Sequence, residues 1–228
     1  MVGWQSASAR SLEQAQKDDK PILIFFPAKD GQSATDGFIY GEPFKKLADE
    51  KAVFVRVTHC DDRTPAPFSD ESPIPCAKLA GDNPSRDYKV TQYPCFIVAD
   101  KYGNEVRRVT GTKAPTVKEL EAWFAEVPAK VAALEGDLKK NLEAAQKAWE
   151  KKNAKEVIKV ARKNFEKGVF GLESQQQTIR LYNEALDSVR ADIKGLDAQK
   201  DAGKLKGLER EFKGTEIAAE IREILGSK

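Results

Sequence analysis

The stretch Lys20-Pro21-Ile22-Leu23-Ile24-Phe25-Phe26-Pro27-Ala28-Lys29-Asp30-Gly31-Gln32-Ser33 decides how this chain is read. Ile22 to Phe26 is apolar at every position, as a central parallel strand buried on both faces requires. Asp30-Gly31-Gln32-Ser33 then supplies turn and cap residues ahead of a helix. Upstream, residues 6–18 favour a helix with Ala9, Leu12 and Ala15 on one side. Asp18-Asp19-Lys20-Pro21 ends that helix, since proline cannot continue one and pushes its predecessor into extended form.

Working outward, Phe44, Leu47 and Ala48 fall at helical spacing within residues 42–50. Val53, Val55 and Val57 alternate with other residues, and β-branching supports a strand. Gln92-Tyr93-Pro94-Cys95 opens a second apolar run to Ala99. Lys101-Tyr102-Gly103-Asn104 reads as a hairpin turn, and Glu105 to Gly111 as a returning edge strand. Pro115 to Phe124 reads as a helix that buries Leu120, Trp123 and Phe124. Thr116 with Glu119 three residues on gives it a capping box. Residues 61–84 are rich in Pro, Asp and Ser, which predicts a long irregular insert with short helices at Cys76–Ala80 and Ser85–Tyr88.

This pattern resembles the thioredoxin-like superfamily over residues 3–127. The resemblance rests on Gly3-Trp4 before a helix, Lys-Pro-Ile-Leu-Ile-Phe-Phe, the strand after Lys51, and Tyr93-Pro94 at the family's cis-proline position. It implies an α/β thioredoxin-like fold, a central mixed sheet of about four strands flanked by helices. It also implies that Asp30, Gly31, Gln32 and Ser33 occupy the place of the usual Cys-x-x-Cys pair, with Asp30 and Ser33 where the two thiols would be. Neither residue can form a disulfide.

After Pro128 the texture changes. No proline follows, and Lys, Glu, Ala and Leu dominate. Leu138, Leu142, Ala145 and Trp149 recur at helical spacing, as do Val157, Val160, Ala161 and Phe165. Ile179, Tyr182, Ala185, Leu186 and Val189 follow the same rule, and so do Ile217, Ala218, Ile221 and Leu225. Breaks fall at Asn153, Gly168 to Gly171, Gly195 and Gly214. The expected organisation is therefore a thioredoxin-like domain at 1–127 and an all-α helical bundle at 128–228, with four or five amphipathic helices. The hairpin around Asn153 resembles a single tetratricopeptide-like helix pair, with no second copy at that period.

The 228 residues carry a net charge of +2, so charge makes no case for a nucleic-acid partner. No apolar run approaches the ~20 residues that span a bilayer. Met1-Val2-Gly3-Trp4 is not a signal peptide. It reads as a start close to a processing site, which favours an exported or periplasmic location with the leader removed, the cytoplasm being the alternative.

The three cysteines, Cys60, Cys76 and Cys95, allow at most one internal bridge. A Cys60–Cys76 bridge would staple the insert in an oxidising compartment. Cys95, after Pro94, is either a half-buried apolar residue or a thiol facing the emptied centre. His59 beside Cys60 could offer metal ligands, but adjacent side chains in extended chain point apart and no ligand spacing supports a metal site. No cofactor is expected. The leading expectation is a redox-inactive module that binds a protein or extended peptide at Tyr93, Pro94 and Cys95, with the helical region as a second face. The plan is analogous to disulfide-isomerase relatives without a dithiol. The alternative is a thiol-disulfide oxidoreductase using Cys95 with Cys60 or Cys76.

Overall fold

The computed structural model describes residues 3–29, 39–64, 73–111 and 114–226. It is a mixed α/β structure with eight α-helices and one five-stranded sheet among the described residues. The chain divides into two compact units. One comprises Met1–Pro65 and Cys76–Leu134, the other Ala66–Pro75 and Glu135–Lys228.

In the first unit the order is β1 (Gln5–Ser6), α1 (Ala9–Asp18), β2 (Ile22–Phe26), α2 (Glu42–Glu50) and β3 (Val53–Arg56). A 3-10 turn (Lys78–Ala80), α3 (Pro84–Asp87), β4 (Cys95–Ala99) and β5 (Glu105–Thr110) follow. The sheet runs β1-β3-β2-β4-β5. β1, β3 and β2 are parallel, while β4 lies antiparallel to both β2 and β5.

Strand alternation splits the sheet's side chains between two layers. Leu23, Phe25, Phe54, Phe96 and Val98 pack with Phe44 and Leu47 of α2 and with Leu120, Trp123 and Phe124 of the helix after β5. Ile22, Ile24, Phe26, Val55, Cys95 and Ile97 face the other way, against Leu12, Ala15, Leu79 and Tyr88. Each large side chain fully buried in this way contributes about 1.5–3 kcal/mol. Phe25 stacks on Phe96 at 4.7 Å between ring centroids, fixing β2 against β4.

Three sequence expectations need correction. The sheet has five strands rather than about four. The added one, β1, ends at Ser6, which was expected to open the first helix. That helix starts at Ala9 instead, because Ser8 caps it and shares a capping box with Ser11. The helix expected at 115–124 runs without a break as α4, Val117–Glu150, with Pro128 inside it. The boundary placed at 127/128 therefore falls within a helix. Proline loses one backbone hydrogen bond there, but the alanine, glutamate, lysine and leucine around it are strong helix formers. Thr116 and Glu119 do cap its start, Glu119 accepting from Thr116 N at 2.8 Å.

The second unit is helical: the later turns of α4, then α5 (Ala154–Phe165), α6 (Glu173–Ile193), α7 (Ala202–Glu211) and α8 (Glu216–Gly226). Its core joins Leu142, Ala145, Val157, Ala161, Phe165, Tyr182, Leu186, Leu205 and Ile217. Asn153 caps α5 by accepting from Glu156 N. A buried polar cluster lies within this core. Asn164 donates to Leu138 O at 3.0 Å and Thr178 Oγ1 at 2.9 Å, and accepts from Asn141 Nδ2 at 2.8 Å. No helix among the described residues is long and apolar enough to cross a membrane.

Candidate functional site

The sheet topology gathers three loops at one end of the first unit. β2 pairs antiparallel with β4, so Phe26 sits opposite Cys95. The chain leaving β2 at Pro27 therefore meets the chain entering β4 at Tyr93-Pro94. β3 runs parallel to β2, with Phe25 opposite Arg56, so residues 57–63 leave at the same end. The Tyr93–Pro94 peptide is cis.

His59 joins these loops. Its Nδ1 lies 3.0 Å from Pro27 O, and its Nε2 lies 3.0 Å from Asp61 Oδ1. That hydrogen bond holds the Asp61 carboxyl below its ordinary range. The imidazole packs on the Tyr93 ring at 4.5 Å between centroids. Arg63 closes the other side: Nη2 donates to Tyr93 Oη and to Val90 O, each at 2.7 Å, and Nη1 donates to Cys60 O at 2.8 Å. The Tyr93 hydroxyl in turn donates to Cys60 O at 3.1 Å. Asn83, buried at the start of α3, donates to Asp62 O at 2.9 Å and to Cys60 Sγ at 3.3 Å. The start of the insert is thus an ordered brace for Tyr93.

Beside this brace lies an open cleft of about 670 Å³, whose lining includes Trp4, Lys29, Tyr40, Arg56, Thr58 and His59. It sits at the carboxyl ends of the parallel strands, the end at which open α/β sheets commonly take ligands. His59 belongs to both features, so cleft and Tyr93 edge form one continuous surface.

The expected site residues separate on inspection. Tyr93 and Pro94 lie together at the edge. Cys95 turns inward and is wholly buried among Ile22, Ile24, Phe26 and Ile97. This burial fits the reading of Cys95 as an apolar residue at the start of a strand. Burial pushes its thiol up to about 11. Cys60 is half-buried and Cys76 exposed, and all three cysteines are free in the structure. Asp30, Gly31, Gln32 and Ser33 lie outside the described residues. Among the described residues no three His, Cys, Asp or Glu side chains are grouped to hold a metal ion. Sequence reasoning missed Arg63, Asn83 and Arg56. Trp4 was noted only as part of a family resemblance.

The chain matches no family model and no curated protein. Among solved structures it is similar to a chain described as "DsbH Oxidoreductase", at 21% identity and a TM-score of 0.38, over 54% of this chain and 85% of that one. A score at that level carries neither fold nor chemistry across.

Proposed function

We propose that the first unit is a thioredoxin-like module that works by binding rather than by thiol chemistry, taking an extended segment of a protein or peptide at the edge formed by Tyr93 and Pro94. The strand order, the helices on both sheet faces and Pro94 at the head of β4 support the fold assignment. The observation that carries the function is Tyr93. His59, Arg63 and the Cys60 carbonyl hold its ring and hydroxyl in place beside an open cleft. Extended peptides are recognised through such edges by backbone pairing, with side-chain pockets adding specificity.

The alternative, an oxidoreductase acting through Cys95, is disfavoured by the same geometry. A thiolate is the reactive species, and a buried thiol near 11 is ionised in about one molecule in ten thousand at pH 7.

The test is peptide selection. Random short peptides displayed on phage are panned on the full chain and on its Tyr93→Ala variant. Enrichment on the parent that is lost with Tyr93→Ala supports the reading. Equal enrichment on both, or none on either, refutes it.

A further inference from the structure

Among the described residues that line the cleft are two cations, Lys29 and Arg56, and no carboxylate. Arg56 is exposed at the end of β3, where Ser6 and Phe25 flank it in register. It has no hydrogen-bond or ion-pair partner among the described residues. Lys29 faces Asp61 at 3.8 Å, with both side chains largely exposed, and such a pair binds its lysine weakly. Asp61 is already held by His59. Trp4 also lines the cleft. Its ring and that of Tyr40, 6.4 Å apart between centroids, give the cleft an aromatic wall. Two cations that lack a strong partner among the described residues suit an anionic acceptor, and a guanidinium is suited to grip a carboxylate through two parallel hydrogen bonds.

We infer that this cleft seats a carboxylate of the bound segment, with Arg56 as its principal contact, Lys29 as a second cation and the Trp4 and Tyr40 rings against the adjoining chain. The ligand class is therefore an acidic peptide. The carboxylate comes either from an Asp or Glu side chain or from the peptide's C-terminus. This inference rests on the peptide-binding reading above. His59 gives the physical link, because it lines the cleft and also packs on Tyr93.

The experiment uses peptides enriched by panning on the full chain. They are synthesised with free and with amidated C-termini, and with each Asp or Glu changed to its amide. Affinities are measured by titration calorimetry against the parent chain, Arg56→Gln, Arg56→Lys and Lys29→Gln. Removing the responsible carboxylate is expected to weaken binding to the parent about tenfold or more, as loss of a charge-assisted pair does. The same change should have little effect on Arg56→Gln, while Arg56→Lys recovers part of the affinity. Raising the salt concentration should weaken parent binding more than that of Arg56→Gln. Loss on amidation identifies a terminal carboxylate, and loss on Asp or Glu neutralisation a side chain. Arg56 has no partner to lose among the described residues, so thermal unfolding of Arg56→Gln should match the parent. Peptides that need Tyr93 but bind Arg56→Gln as tightly as the parent would overturn the carboxylate site and leave the edge reading standing. If no peptide is enriched, both fall.

Discussion

The Tyr93 ring packs 4.5 Å from the His59 imidazole, centroid to centroid, and its hydroxyl is bonded to Arg63 and to the Cys60 carbonyl. One side chain thus ties the loop leaving β3 to the loop entering β4. Tyr93→Phe keeps the ring and removes both hydroxyl bonds. A loss of about 1–2 kcal/mol in urea unfolding is expected, since the Arg63 guanidinium also loses an acceptor. Arg63→Ala should cost at least as much, because Cys60 O and Val90 O then lose a donor. The two losses should fall short of additive when combined.

Cys95 makes a prediction about both pH and reactivity. Its thiol is held at about 11 by burial, against 9.0 for the ordinary group. Folding therefore favours the protonated form. That contribution is fully present below about pH 9 and is lost as the pH rises towards 11. The fall should be of order 2–3 kcal/mol. A denaturation series from pH 8 to pH 11 on the parent and on Cys95→Ala checks it, the variant lacking this component of the slope. In alkylation of the native chain, exposed Cys76 should react first and Cys95 only on unfolding.

Gly103 sits in the hairpin turn at φ +84, and a Cβ there would lie 3.1 Å from Tyr88 Oη and 3.2 Å from Leu12 Cδ2. The Tyr88 hydroxyl also donates to Gly103 O at 2.5 Å. Gly103→Ala combines positive-φ strain with a crowded contact. It should destabilise the chain by about 1–3 kcal/mol, read as a lower urea midpoint.

In the helical unit, Asn164 is fully buried and bonded to Leu138 O, Thr178 Oγ1 and Asn141 Nδ2. Asn164→Ala leaves polar partners unsatisfied around a small void. A loss of about 2–4 kcal/mol is expected. Peptide binding at the Tyr93 edge should be unchanged under conditions where the variant stays folded.

The elements legible in sequence were those whose burial is written locally. Ile22 to Phe26 is apolar throughout and forms β2. Val53 and Val55 alternate and form β3. Thr116 with Glu119 marks where α4 begins. β1 was not legible, because Gln5 and Ser6 join the sheet only through backbone pairing to Val55 and Arg56. Nor was the run of α4 through Pro128, since a single proline is a strong local stop signal that flanking helix formers outweigh. The site divides in the same way. Tyr93 and Pro94 stood out through the resemblance of their segment to the thioredoxin-like cis-proline position. The residues that brace Tyr93 come from 30 or more positions away, as Arg63 and Cys60 do. Their partnership depends on the β3-β2-β4 order, which no local pattern encodes. Cys95 was placed with Tyr93 and Pro94 at the edge as well as read as an apolar strand residue, and its side chain faces the core, since one position decides whether a strand side chain faces edge or core.

The most direct test of the central claim is an amide NMR titration of the isotope-labelled full chain with a selected peptide. The account expects shift changes concentrated at residues 56–63 and 90–93, with little change in α5 to α8. Changes confined to those helices, or a peptide that binds without perturbing Tyr93 and its neighbours, would contradict it.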